Sequence, residues 1–288
     1  MTKGLFAGYS DAIRWRVRAA KKLAFRGIYQ RRLRRLQEVA DPNGRRLARV
    51  MDQLQRGELL GGESLLEAVE AERELMLSSE EPLFDGTLGE AGMHDKGVSV
   101  KGACIVSKGR YSATFLYLLA REFKPSVAFE LGTNVGISSA YQAAALRLNG
   151  GGSLITLEAS PYRLRLAKRL HEKVGLTDKV RYKMGLFSDT LGRALKESGP
   201  VGYAFIDGHH QYRRTLDYFD MICECATDEA IFVFDDIVWS AGMKRAWGEI
   251  KDDERVALAA DFGTMGVCVM AGNRPGHRRY VTKPMLLL

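Results

Sequence analysis

The sequence predicts an open, mostly parallel α/β sheet covered by helices on both faces, and three observations carry that expectation. From residue 127 onward, short runs of Val, Ile, Leu and Phe alternate with helical patterns. The first run, Val127-Ala-Phe-Glu-Leu131, breaks directly into the glycine-bearing turn Gly132-Thr-Asn-Val-Gly136 and then into a helix, the order that builds a phosphate or nucleoside pocket at the carboxyl edge of a parallel sheet. With 288 residues and 46% apolar content, the chain can bury a full core and still carry an extension.

The elements follow in order. Residues 11–37 read as a helix, because Ile13, Val17, Ala20, Ala24 and Ile28 recur at three and four with Arg and Lys over much of the remaining surface. Asp41-Pro-Asn-Gly44 reads as a turn, 45–56 as a second helix, and Gly61-Gly62 opens a glutamate-rich third helix ending near Ser78-Ser79. Residues 80–106 are punctuated by glycine, with room for a loop over an active site. A helix over 111–122 leads through Lys124-Pro125 to the strand 127–131, and a crossover helix over 137–148 stops at Gly150-Gly-Gly152. Strand 154–157 ends in Glu158, and Ser160-Pro161 caps and opens a helix filled by 162–174. Strands at 180–184, 203–206 and 231–234 alternate with helices at 187–197 and 212–225, and two late strands, 255–260 and 267–270, flank Phe262-Gly-Thr-Met-Gly266.

Composition excludes several classes. Cys104, Cys223, Cys225 and Cys268 show neither C-x-x-C spacing nor the density of a disulfide scaffold, so reduced thiols are expected. Without a long uncharged apolar run or a signal-like start, the expectation is a cytoplasmic protein, with attachment to the periphery of a membrane left open. Basicity is concentrated: residues 1–50 hold 14 of the 43 Lys and Arg but only 3 of the 35 acids. Residues 11–50 could thus meet an anionic membrane surface, an acidic partner or a phosphate backbone, and a solvated basic helix satisfies the pattern equally. Residues 101–288 lack a basic and aromatic single-strand track, which disfavours nucleic acid. Homo-oligomers could form through the N-terminal helices.

Candidate site residues gather at the strand ends. Gly132 and Gly136 let backbone approach a ligand, Asn134 tolerates a tight turn, and Glu130 suits a cofactor bearing an ammonium group better than a pyrophosphate. Glu158, 26 residues after Gly132 at the next strand end, can accept both ribose hydroxyls of a nucleoside. Asp207 follows the fourth strand and Asp235-Asp236 the fifth; adjacent strands lie about 4.8 Å apart, so these three carboxylates can converge on Mg²⁺ or a similar divalent cation. Alternatively Asp207 holds the cofactor amine while Asp235 and Asp236 serve local structure. His209 and His210 follow directly and either can take a proton, His209 ranking slightly higher; a capping or aspartate-holding role is open to them too. Trp239 and Met265 are aromatic and apolar walls or core.

With Lys108-Gly109 before a helix, Glu130-Leu-Gly-Thr-Asn-Val-Gly-Ile-Ser138, Leu157-Glu158, Phe205-Ile-Asp-Gly208 and Phe234-Asp-Asp236 in that order, residues 102–271 resemble the class I S-adenosylmethionine-dependent methyltransferases. The likeness is to the small-molecule O-methyltransferases related to the catechol and caffeoyl-CoA enzymes. It implies a Rossmann-like sheet of order 3-2-1-4-5-7-6 with the last strand antiparallel, a basic helical N-terminal extension and possible substrate cap over 1–100, and a cofactor-binding domain over 101–288. It further implies that Glu130, Gly132, Asn134 and Ser138 surround the methionine part of S-adenosylmethionine, that Glu158 holds the ribose, and that Ala159, Leu186 and Phe187 border the adenine. Lys108 resembles a residue near the cofactor entrance. In metal-dependent members the carboxylate positions are Asp, Asp and Asn, so Asp236 is a departure. The function implied is divalent-assisted methyl transfer to a hydroxyl of a small molecule. Its rivals are an RNA methyltransferase using the basic region, an inactive methyltransferase-like module on a membrane or protein, and, if the Gly132 turn is misread, a nicotinamide dehydrogenase.

Overall fold

In the computed structural model, residues 30–31, 33–39, 41–88, 93–272 and 280–282 are described. The helix expected over 11–37 falls outside them except at its end, where residues 33–38 are helical and Leu33 and Leu36 are buried. The turn expected at 41–44 is instead the start of α1 (Pro42–Arg56): Asp41 accepts a hydrogen bond from the Asn43 amide at 2.8 Å, and Pro42 occupies a position whose N–H would have no partner anyway. α2 (Glu63–Leu77) follows. α3 (Val100–Ile105) is a short helix that the glycine-rich stretch concealed, its Ser99 hydroxyl accepting from the Gly102 amide at 3.1 Å.

α4 (Arg110–Phe123) then leads into β1 (Val127–Leu131), α5 (Ile137–Leu148), β2 (Ser153–Glu158), α6 (Pro161–Lys173) and β3 (Val180–Met184). α7 (Phe187–Ser198), β4 (Val201–Ile206), α8 (Tyr212–Cys223) and β5 (Ala226–Phe234) complete the parallel part. α9 (Ala241–Asp252) was not expected, although its Met243, Ala246, Trp247 and Ile250 have helical spacing and Ser240 caps it; Gly242 and Gly248 dilute the signal. β6 (Val256–Phe262), β7 (Met265–Met270) and the three-residue β8 (Tyr280–Thr282) close the sheet.

The strand order is β3-β2-β1-β4-β5-β7-β6-β8. The seven-strand order expected from the family resemblance is present, with β7 antiparallel between β5 and β6, and β8 adds a short parallel edge against β6. Both faces are covered, which is why the central strands β1, β4 and β7 and the second half of β5 read as nearly continuous apolar runs, whereas edge strand β3 carries Arg181 and Lys183. Alternation along β1 and β4 sends Ala128, Tyr203 and Phe205 to a core shared with α4, α5 and α6. Phe129, Leu131, Ala204 and Ile206 go to a second core with α7, α8 and α9. Each fully buried Phe or Leu in these layers contributes about 1.5–3 kcal/mol of transfer free energy.

Leu47, Val50, Met51 and Leu54 of α1 and Leu66 and Val69 of α2 belong to the first of these cores. One apolar cluster therefore runs across the expected boundary near residue 100. Two cations of the basic region serve the same packing, since Arg46 stacks on Phe123 at 3.9 Å and Arg49 pairs with Glu122. Among the described residues, no helix is long and apolar enough to cross a membrane.

Register decides where the chemistry sits. Leu131 pairs with Leu157 and Ile206, and Ile206 with Phe234. Gly132, Glu158, Asp207 and Asp235 consequently stand side by side along one carboxyl edge.

Candidate active site

A cleft of about 530 Å³ opens at that edge. Its wall carries Lys108, Gly132, Asn134, Glu158, Ala159, Leu186, Phe187, Asp207, His209, His210 and Asp236, with Val106, Arg163, Gly208 and Trp239 beside them. Most of the residues singled out in the sequence are thus brought together. Glu130, Gly136, Ser138 and Asp235 are not on the wall, and among the described residues those lining the cleft begin at Val106.

The turn after β1 is held by its neighbours. The amides of Gly132 and Thr133 donate to the Leu157 carbonyl at 3.0 and 3.1 Å. Gly132 has φ +105, and a Cβ there would stand 2.2 Å from the Asp207 carbonyl oxygen, so only glycine lets β1 and β4 end this close together. Asn134 takes φ 48 and its amide donates to Glu158 Oε2 at 2.8 Å, while the Ser160 amide donates to Glu158 Oε1 at 2.9 Å. Two backbone donors therefore fix the Glu158 carboxylate at the rim and leave its remaining lone pairs toward the cleft. The Asn134 side chain is engaged by protein on both ends, donating to the Ala103 carbonyl at 2.9 Å and accepting from Arg163 at 2.9 Å.

Three of the residues expected to touch the cofactor lie off the cleft wall. Glu130 lies on the same face of β1 as Ala128, toward α5, and is fully buried. Gln142 Nε2 donates to its Oε1 at 2.7 Å and the Thr156 hydroxyl to its Oε2 at 2.6 Å, so strand alternation sends it beneath the turn instead of into the cleft. Gly136, at φ +91, serves helix packing: a Cβ there would lie 2.7 Å from Ala167 Cα. Ser138 is buried in the first turn of α5.

Burial pushes the Glu130 carboxyl up to about 7, against hydrogen bonds that pull it down. The folded state then holds this proton more tightly than the unfolded chain. Stability is lost as pH rises from the ordinary value of 4.5 through about 7, a loss on the order of 3 kcal/mol that is complete above that. Glu130→Gln is expected to remove this slope, matching the parent near about pH 5 and exceeding it by that amount near about pH 8. Urea midpoints across that range give the answer, and parallel curves for the two proteins would refute the assignment.

At the other end of the cleft, charge is concentrated. The Lys108 ammonium contacts Asp235 and lies 3.5 Å from Asp207 Oδ2. Burial works against its charge, and Asp207 and Asp235 outweigh it, raising the Lys108 pKa; burial and then Asp235 push Asp207 well above the usual carboxylate range. His210 Nε2 stands 3.6 Å from Asp207 Oδ1 and 3.7 Å from Asp236 Oδ2. His209 is differently employed: its Nδ1 is paired with the Tyr218 hydroxyl at 2.7 Å and its ring meets Phe187 edge-on. Asn134, His209, His210 and Asp236 all have positive φ, which places left-handed backbone around this one cleft.

A residue missed in the sequence anchors Lys108. Arg73 of α2, only 7% exposed, donates from Nη1 to the Lys108 carbonyl at 2.8 Å, and Glu70 holds its Nε at 3.1 Å. Nothing local announces this partner 35 positions upstream. The divalent ion expected on Asp207, Asp235 and Asp236 meets a poor fit, because the cation between the first two is the chain's own. Among the described residues, no group of three or more His, Cys, Asp or Glu side chains is disposed to hold a metal.

Residues 129–237 match the profile of a family described as "Methyltransferase domain". A catechol O-methyltransferase of Niastella koreensis is 31% identical over 153 residues, covering 53% of this chain and 63% of that protein. A catechol O-methyltransferase of Mycobacterium tuberculosis is 27% identical over 152 residues, covering 53% and 65%. The chain thus spans a little under two thirds of the length of these curated relatives. In fold it is similar to an O-methyltransferase from Bacillus cereus solved in complex with SAH, with a TM-score of 0.53 at 21% identity over 76% of this chain and 96% of that one. Sheet order, the glycine turn after β1 and the family match agree: residues 129–237 match a methyltransferase domain, and they lie in a sheet with the 3-2-1-4-5-7-6 order of the class I, S-adenosylmethionine-dependent fold.

Proposed function

We propose that this chain transfers a methyl group from S-adenosylmethionine to a hydroxyl oxygen of a small-molecule acceptor. The observation that carries the reading is the polarity of the cleft: a nucleoside-like end at Glu158, Ala159, Leu186 and Phe187, and a proton-handling end at Lys108, Asp207 and His210. Glu158 would accept from the ribose hydroxyls, Leu186 and Phe187 would flank the adenine, and Asp207 beside the Gly132 turn would meet the methionine amine. When bound, the cofactor supplies an activated methyl and its own leaving group. The chain's residues orient the acceptor oxygen and take its proton. His210 suits that second task because its Nε2 faces Asp207 and Asp236 across the cleft, whereas His209 is tied to Tyr218.

Trp239, 74% exposed on the rim, offers a flat face to an aromatic acceptor. The test follows label from methyl-labelled S-adenosylmethionine to catechol and to ortho-aminophenol. Label is expected on oxygen in both, and Trp239→Ala should raise the acceptor KM by about tenfold while leaving the cofactor KM alone. Label on the aminophenol nitrogen would contradict the hydroxyl assignment.

A second reading, assistance by a divalent cation, is favoured by the three carboxylates at neighbouring strand ends, the donor type a hard cation takes. Lys108 stands against it.

A further inference from the structure

We propose that Lys108 is a tethered cation that takes the place of a divalent ion at the Asp207 and Asp235 carboxylates, so that this enzyme works without a metal. The catalytic side of this inference rests on the methyl-transfer reading; the cation-binding side does not.

Three observations converge. The Lys108 ammonium touches Asp235 and is 3.5 Å from Asp207, with its side chain 17% exposed, so it occupies the space between two carboxylates that a hard cation would need. It is not a loosely tethered surface lysine. Its backbone carbonyl accepts from the buried Arg73 guanidinium, which Glu70 fixes in turn, and Glu70 also accepts from the Tyr141 hydroxyl at 2.7 Å. Finally, Asp235, the carboxylate a metal would need from β5, is only 2% exposed and off the cleft wall, with Lys108 as its ion-pair partner. A divalent ion on the same oxygens would sit against the ammonium, and like charges at that range repel strongly in a partly buried site.

The chemistry balances without a metal. The acceptor O–H proton passes to His210, the oxygen forms the new bond to the methyl carbon, and the carbon–sulfur bond breaks with its electron pair going to sulfur. Lys108 stays protonated throughout and donates a hydrogen bond to the developing oxyanion, the task a Lewis acid performs in a metal-assisted site.

Mn²⁺ binding followed by electron paramagnetic resonance on the intact chain tests this without reference to turnover. The wild type should leave the free Mn²⁺ signal undiminished. Lys108→Met should gain a site that binds Mn²⁺ at least about tenfold more tightly, and adding Asp235→Asn to it should abolish that site. Lys108→Gln, which keeps a donor for Asp235, serves where Lys108→Met folds poorly and should shift in the same direction. Label transfer by the wild type should survive chelation, and Lys108→Met should lower kcat by at least about tenfold with S-adenosylhomocysteine affinity unchanged. Stoichiometric Mn²⁺ binding by the wild type that Asp235→Asn abolishes would overturn the proposal, as would lysine variants that bind Mn²⁺ no better than the parent.

Discussion

His210→Asn is expected to lower kcat by about 10²–10⁴-fold while leaving the affinity for S-adenosylhomocysteine unchanged. Asparagine is the informative replacement because His210 has φ 30, and Asn tolerates the left-handed region where most side chains are strained. The backbone can then keep its course while the proton acceptor is lost. The expectation comes from position: the imidazole lies between Asp207 and Asp236 at 3.6 and 3.7 Å and lines the cleft. His209→Asn is the control. That ring contacts Phe187 and Tyr218, and burial, then the Arg214 guanidinium, lower its affinity for a proton. Its loss should disturb the adenine wall and hence cofactor affinity more than turnover. If His209→Asn costs the larger share of kcat, the two roles are reversed.

Glu158→Ala is expected to weaken S-adenosylhomocysteine binding by at least about a hundredfold, which is about 3 kcal/mol. A carboxylate accepting from two hydroxyls makes charge-assisted hydrogen bonds worth about 1.5–3 kcal/mol each, so the figure corresponds to losing the ribose pair with partial replacement by water. The same substitution removes the acceptor for the Asn134 and Ser160 amides and so loosens the turn after β1. Glu158→Gln separates the two effects, since its carbonyl can still accept one of these amides. An intermediate loss for Glu158→Gln, with an unfolding midpoint near that of the parent, would assign the energy to the ligand.

Much of this was legible because the sheet is buried on both faces. Val127–Leu131 came out with the bounds the structure gives it, an apolar run set between Pro125-Ser126 and Gly132, and Val180–Met184 did so too, as an edge strand in which Val, Tyr and Met alternate with Arg181 and Lys183. α9 was hidden by two glycines, and β5 starts at Ala226 instead of 231 because Thr227, Asp228 and Glu229 are an exposed polar strand end. At the site, strand-end position brought Glu158 and Asp207 to the cleft wall, but it could not say which face of β1 Glu130 takes relative to the turn. Nor could spacing show that Lys108, 127 positions before Asp235, reaches its carboxylate, or that Arg73 anchors it. Those contacts depend on how α2 and α3 dock, which the glycine-rich stretch between them does not encode locally.

On the proposed function, one cleft at the carboxyl edge, with Glu158 on its rim, holds a sulfonium nucleoside. Calorimetric titration of S-adenosylhomocysteine into the intact chain tests it most directly. Saturable one-site binding at micromolar concentrations, weakened in Glu158→Ala, is the predicted result; a folded protein that gives no binding signal, or one whose affinity is indifferent to Glu158, would contradict it.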